Sequence, residues 1–268
     1  MHRIAWFFLL SFSLAGISAS AQTLFVGTYT RTPGRAGIFV LRFDTATKQA
    51  VLIDSARSSN PSFLAPSRDG KFLYSVSEQG QGKGMVQAWR VKGGKLTFVN
   101  EVSSGGDGPC YVAVDSKGRN VLVGNYGGGT LAILPVAPDG GVGAPEQIIE
   151  HQGSGPNLQR QERPHVHSTV LAPDENYVLA ADLGTDKVVS YKYSARRHTL
   201  SDARYTNAFT AGSGPRHLDF HPKKDWVYVL QELSGTVTAC RYKDGRMEPF
   251  QTISLMPEGN TTAAHSAD

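Results

Sequence analysis

Four octets, Ser67–Tyr74 (SRDGKFLY), Ser116–Val123 (SKGRNVLV), Pro173–Ala180 (PDENYVLA) and Pro222–Val229 (PKKDWVYV), superpose without gaps. Each joins a polar turn to a short apolar or aromatic run, and their starts lie 49, 57 and 49 residues apart. A period in this range marks propeller blades or similar arrays. The surroundings repeat as well. A short apolar run precedes each octet, such as Phe63-Leu64-Ala65 or Leu218-Asp219-Phe220. A turn and a β-rich run follow it: Met85–Val91, Thr130–Val136, Lys187–Tyr193 and Thr236–Tyr242. A further strand-like piece, such as Leu96–Val102, closes the unit. The side-chain period is two, with Val188, Ser190 and Lys192 opposite Val189, Tyr191 and Tyr193, and helical spacing is absent. Four antiparallel strands repeating about every 50 residues predict an all-β chain folded as a β-propeller of four-stranded blades. A β-sandwich would account for the strands but not for the repeated octet.

The ends of the repeat look incomplete. Leu24–Thr30 (LFVGTYT) matches a second strand, Gly37–Phe43 a third and Ala50–Ala56 a fourth, so the first unit lacks its innermost strand. Thr261–Asp268 reads as the start of a sixth unit. The expectation is about five blades in a domain spanning residues 22–268, incomplete at its C-terminus. An open arc of this kind would expose sheet edges.

The first residues read as an address. Met1-His2-Arg3 is short and positively charged, Ile4–Ile17 is almost wholly apolar, and Ala19-Ser20-Ala21 fits a small-x-small cleavage pattern. This is the layout of a secretory signal peptide over residues 1–21, cleaved before Gln22. The apolar run is shorter than the ~20 residues a spanning helix needs. An exported protein is expected, periplasmic or secreted, with no membrane association after cleavage.

Composition narrows the classes further. The 268 residues include 29 Gly and 14 Pro but only two Cys, which excludes a disulfide scaffold. Hydrophobic residues at 40% with a net charge of +4 exclude a disordered chain. The Gly content argues against a coiled coil. No basic stripe is present, so nucleic acid is not an expected partner. Cys110 and Cys240 are expected to be unpaired.

The register also locates a candidate site. The first two strands of a blade begin and end on one face of the ring, so residues before one and after the other should meet at a mouth of the central channel. Six positions back from the octet starts lie Pro61, Cys110, His167 and Arg216; ten forward lie Ser77, Tyr126, Leu183 and Glu232. Glu78, Asn125, Asp182, His165 and His217 are neighbours at that end. His167, Arg216 and Glu232 come from adjacent units. Imidazole or carboxylate could take a proton from water, and guanidinium could hold an anion or a developing oxyanion. That set suits the opening of an ester or lactone ring. His165, His217, Asn125 and Asp182 are the expected substrate-binding residues. His165-x-His167 alone is only half a zinc site, and no metal is expected. Gly127-Gly128-Gly129 lacks the Lys and following helix of a phosphate loop and reads as a tight turn.

At these residues the chain resembles a known family. LFVGTYT (Leu24–Thr30), RPHVHS (Arg163–Ser168), ADLGTDKVVSYKY (Ala181–Tyr193), GSGPRHLDFHP (Gly212–Pro222) and VYVLQELSGTV (Val227–Val237) are similar to segments of the seven-bladed propeller lactonases. That family includes propeller-type 6-phosphogluconolactonases and carboxymuconate cyclases. The resemblance runs from Leu24 to the C-terminus. It implies a hydrolase of carbohydrate metabolism that opens a sugar lactone without cofactor or metal. His167, Glu232 and Arg216 would be its acid/base and anion-binding groups, and a small lactone its partner. The family continues with two more blades, including an Asn-Arg segment that this chain does not reach. An export signal fits an unphosphorylated sugar lactone better than a phosphorylated cytoplasmic one. The alternatives are a non-catalytic exported binding scaffold and a cycloisomerase acting on a muconolactone ring.

Overall fold

The structure, a computed structural model, describes residues 21–30, 34–259 and 264–267. Nearly all of the expected signal peptide, and four of the eight residues of the expected sixth unit, lie outside the described residues. Among the described residues no helix is long and apolar enough to cross a membrane.

Five antiparallel meanders follow one another along the chain. The first has three strands, β1 (Ala21–Gly27), β2 (Ala36–Asp44) and β3 (Gln49–Arg57). The second holds β4 (Leu64–Pro66), β5 (Phe72–Ser77), β6 (Met85–Lys92) and β7 (Lys95–Ser103). The third holds β8 (Pro109–Val114), β9 (Asn120–Asn125), β10 (Thr130–Pro135) and β11 (Gln147–Glu150). The fourth holds β12 (Val166–Leu171), β13 (Tyr177–Asp182), β14 (Lys187–Ser194) and β15 (Thr199–Ala208), with a single 3₁₀ turn, Leu183–Thr185, after β13. The fifth holds β16 (Pro215–Phe220), β17 (Trp226–Gln231), β18 (Thr236–Lys243) and β19 (Arg246–Ser254). These are the blades expected from the repeat, and among the described residues the first has three strands.

The core lies between consecutive blades, and the two-residue period explains why. In β13, Val178 and Ala180 face the third blade, where they meet Leu122, Leu131 and Ile133. Leu179 and Ala181 face the fifth, where they meet Leu218, Val227 and Val229. In β9 the same alternation sends Val121 and Val123 toward Tyr74, Val76 and Ala88 of the second blade, and Leu122 toward the fourth. Ile38 and Ala56 meet Leu73 and Trp89 across the first gap. A middle strand buried on both faces must be apolar on both, which is why the octets end in unbroken apolar runs. Each fully buried Leu contributes roughly 1.5–3 kcal/mol, opposed by chain entropy.

Every octet turn closes with the same backbone bond, one residue beyond the last pair of the strand-to-strand ladder. Ser67 N–H donates to Phe72 O, Asp115 to Asn120, Ala172 to Tyr177 and His221 to Trp226. Gly70, Gly118 and Glu175 occupy the same turn position, each with positive φ. These bonds correct the sequence superposition by one residue in the second blade. Its octet begins at Arg68, not Ser67, so Gly70 aligns with Gly118. The correction moves the expected mouth residues of that blade from Pro61 and Ser77 to Ser62 and Glu78. Backbone bonds at the mouth agree: Glu78 N–H donates to Asn60 O, Tyr126 to Gly108, Leu183 to His165 and Glu232 to Gly214.

Candidate active site

Three of the four innermost strands carry a β-bulge at the mouth. The register of β8 shifts between Pro109 and Tyr111, that of β12 between Val166 and Ser168, and that of β16 between Pro215 and His217. The residues inside these bulges are Cys110, His167 and Arg216. A bulged residue leaves the ladder and its side chain is re-aimed, a device common beside active sites. Here the three side chains converge on one cavity of about 330 Å³, lined also by Tyr29, Ser62, Phe63, Glu78, Tyr126, Arg160, His217 and Glu232.

Glu232 sits just past β17 and is gripped from two sides. Its Oε1 accepts from Arg160 Nη2 at 2.6 Å and its Oε2 from Arg216 Nε at 3.0 Å. The carboxylate is 11% exposed and the guanidiniums of Arg160 and Arg216 are 32% and 19% exposed, so solvent screens the pairs only partly. Arg160 Nη2 also donates to the Tyr126 hydroxyl oxygen at 3.3 Å. That contact, and then Glu232, raise the Arg160 pKa above its usual range against the effect of burial. Arg216 Nη1 donates to the Ala267 carbonyl.

His167 is buried at the cavity wall. Its ring meets the edge of Tyr126 at 5.5 Å and of His217 at 5.1 Å. Burial, then the Arg216 charge and His217, hold its pKa well below 6.5. The ring is therefore neutral at pH 7 and can accept a proton. Cys110 Sγ lies 3.8 Å from His167 Nδ1. Burial and the Glu78 carboxylate push this thiol far above its ordinary pKa, so it stays protonated and is a poor nucleophile. Cys110 and Cys240 are both free.

The two arginines are carried on separate straps that share one anchor. Arg160 lies on the long link from β11 to β12, His151 to His165, where the link from β7 to β8 runs only from Ser104 to Gly108. The neighbouring Gln161 is fully buried, and its Nε2 donates to Leu183 O and to Asp186 Oδ1, both at 2.8 Å. The link from β15 to β16 carries Arg216. There Gly212 N–H donates to Asp186 Oδ2 at 2.7 Å and Gly214 N–H to Asp186 Oδ1 at 2.8 Å. Gly214 has φ +65, and a Cβ there would lie 2.7 Å from Leu233 Cγ. The Gly-Ser-Gly-Pro turn thus needs its glycine to bring Arg216 to the mouth.

The expected site residues divide. His167, Arg216, Glu232 and His217 line the cavity. His165, Asn125 and Asp182 are not among the residues that line it. His165 stacks on Tyr126 at 4.3 Å and bonds the Tyr126 carbonyl through Nδ1. Asn125 is fully buried and donates to Ser104 O and Thr130 Oγ1. Asp182 accepts from the backbone of His165 and Gly184 and pairs with His151 at 2.9 Å. Burial opposes ionisation of Asp182, but its bond to His151 and the backbone donors outweigh burial and lower its pKa. Leu183 is buried as the first residue of the 3₁₀ turn. His165 and His167 sit on different sides of Tyr126, and no three metal-ligating side chains cluster among the described residues. Arg160, Tyr29 and Phe63 were not visible to the register count. The longer spacing between the second and third octets is the sequence trace of the strap that carries Arg160.

Comparison with known proteins supplies the context for this geometry. Residues 23–268 match the family model described as lactonase, 7-bladed beta-propeller. A Bacillus subtilis (strain 168) 6-phosphogluconolactonase is 38% identical over 242 residues, 88% of this chain and 68% of that protein. The solved structure of a Pseudomonas aeruginosa periplasmic gluconolactonase superposes with a TM-score of 0.84 at 35% identity, over 90% of this chain and 70% of that one. A Lactobacillus plantarum structure gives 0.82 at 32% identity, with the same coverage.

Proposed function

This chain belongs to the lactonase family of seven-bladed β-propellers, and from that membership we propose how it hydrolyses a sugar lactone. The observation that carries the mechanism is the Glu232 carboxylate clamped by Arg160 and Arg216 beside a neutral His167. Both Glu232 oxygens are already engaged by guanidinium donors. The His167 imidazole is neutral and makes no ion pair among the described residues, and it is the general base.

The lactone carbonyl lies toward the guanidiniums. His167 removes a proton from water as the water oxygen bonds to the carbonyl carbon. The carbonyl electrons move to oxygen, and Arg216 and Arg160 donate to that oxyanion. Collapse of the tetrahedral intermediate breaks the ring C–O bond. The departing ring oxygen takes the proton from the His167 imidazolium, and the open-chain acid then ionises. A positioned base of this kind is worth about 10²–10⁴-fold. Glu232 holds the two cations at a fixed separation and keeps them from repelling each other.

Export to the periplasm or beyond is part of the proposal. It is supported by the leader pattern of residues 1–21 and by the periplasmic relative from P. aeruginosa. The mechanism is tested by titrating acid release from gluconolactone against the spontaneous rate, with wild type and His167→Gln. Loss of the enzymatic rate in a folded His167→Gln supports it, and an unchanged rate removes His167 from the base role.

A further inference from the structure

We propose that Glu78, braced by Tyr29 and Ser62, forms a hydroxyl-binding subsite that selects an unphosphorylated sugar lactone over its phosphorylated counterpart. The inference rests on the lactone-hydrolase reading and names the substrate class of the same cavity.

Glu78 is the second-blade counterpart of Glu232. Each lies one residue past its blade's second strand, and each backbone N–H bonds the residue two before the mouth position of the first strand. Their surroundings are opposite. Glu232 is held by two guanidiniums, whereas Glu78 is held by two hydroxyls. Tyr29 Oη donates to Glu78 Oε2 at 2.7 Å, and Ser62 Oγ donates to the same oxygen. Burial and the adjacent carboxylate push the Tyr29 phenol up to about 12, so it stays a donor and adds no charge. Glu78 Oε1 takes no hydrogen bond among the described residues, and the residue lines the cavity.

The cavity is therefore lined by two unlike carboxylates. Glu232 already balances two cations in part. Glu78 presents one free oxygen with both lone pairs. Vicinal ring hydroxyls are donors suited to that oxygen, through charge-assisted bonds. The neighbouring Phe63 ring offers an apolar wall to the face of a sugar. A phosphate dianion beside Glu78 would meet like charge in a partly desolvated pocket, which is an element of exclusion as much as a missing attraction. The proposal turns the lactone carbonyl toward His167 and the rest of the sugar toward Glu78.

The test compares kcat/KM for glucono-1,5-lactone and its 6-phosphate, in wild type and Glu78→Gln. The amide keeps size and an acceptor but removes the charge. Wild type is expected to prefer the unphosphorylated lactone by about tenfold or more, and Glu78→Gln to shrink that preference by about tenfold. Raising ionic strength should narrow the wild-type preference in the same direction, because the discrimination is Coulombic. This second measurement needs no variant and stands if Glu78→Gln fails to fold. Equal wild-type turnover of both lactones, or a preference unmoved by both charge removal and salt, overturns the subsite while leaving lactone hydrolysis intact. Failure to open either lactone overturns the hydrolase reading itself.

Discussion

Replacing Glu232 with Gln separates the clamp from the base. The amide keeps shape and one acceptor oxygen but cannot accept charged bonds from Arg160 and Arg216 at once. Charge-assisted bonds are worth about 1.5–3 kcal/mol where neutral ones are worth about 1. Arg160 is almost one-third exposed, so its share is discounted. The expected loss of stability is about 2 kcal/mol, or some 4–8 °C in Tm for a chain of this size. The effect on catalysis should be larger. Removing one oxyanion donor costs about 10²–10³-fold, and here two donors lose their aim. We expect kcat/KM for gluconolactone to fall by at least about 10²-fold, equivalent to about 2.7 kcal/mol. The pH profile decides between roles. If Glu232 only aims the arginines, the acid limb set by His167 persists below pH 6.5 on a lower plateau. A pH-stat titration gives the profile and a thermal melt gives the stability. The reasoning is refuted if kcat/KM stays within about threefold of wild type. Disappearance of the acid limb would transfer the base role to Glu232.

Further outcomes follow from the same geometry. His167 is held neutral, so activity should rise with pH through a pKa below 6.5 and then level off. Because its folded pKa is depressed, the unfolded chain binds more protons, and stability should fall as pH drops below about 6.5; urea midpoints at pH 5.5 and 7.5 measure this, and equal His167→Gln and wild-type dependence would count against it. Asp186→Asn weakens the anchor shared by both arginine straps and should raise KM and lower kcat by about tenfold each, whereas a fall confined to Tm would show a merely structural role. Leu179→Ala opens a cavity between the fourth and fifth blades and should cost about 2–5 kcal/mol in chemical denaturation, with little change in KM for the folded fraction.

The strands were legible because the middle strands of the inner blades, β9 and β13 above all, are buried on two faces. Val121, Leu122 and Val123 read as an apolar run whichever way the strand is turned. The same uniformity hid the register. In the second blade nothing apolar distinguishes Ser67 from Arg68 as the octet start, and only the left-handed turn position shared by Gly70 and Gly118 does so. That single-residue slip replaced Ser62 and Glu78 by Pro61 and Ser77. The count from the octets led to His167 and Arg216 at the cavity because bulges hold a fixed place relative to the turn. Asp182 and Asn125 make their bonds to neighbouring protein groups, and a polar residue at a strand end looks the same in sequence whether it meets a ligand or a backbone amide. Arg160 lies on an irregular strap whose course depends on the buried Gln161 and Asp186, and no local periodicity records that contact.

The central claim is lactone hydrolysis with His167 as base. Its most direct test is acid release from gluconolactone by the purified chain, Gln22 to Asp268, measured above the spontaneous rate. The account predicts a saturable enzymatic rate that Glu232→Gln reduces and His167→Gln abolishes in folded protein. Spontaneous-rate hydrolysis by folded wild type, or full activity in His167→Gln, would contradict it.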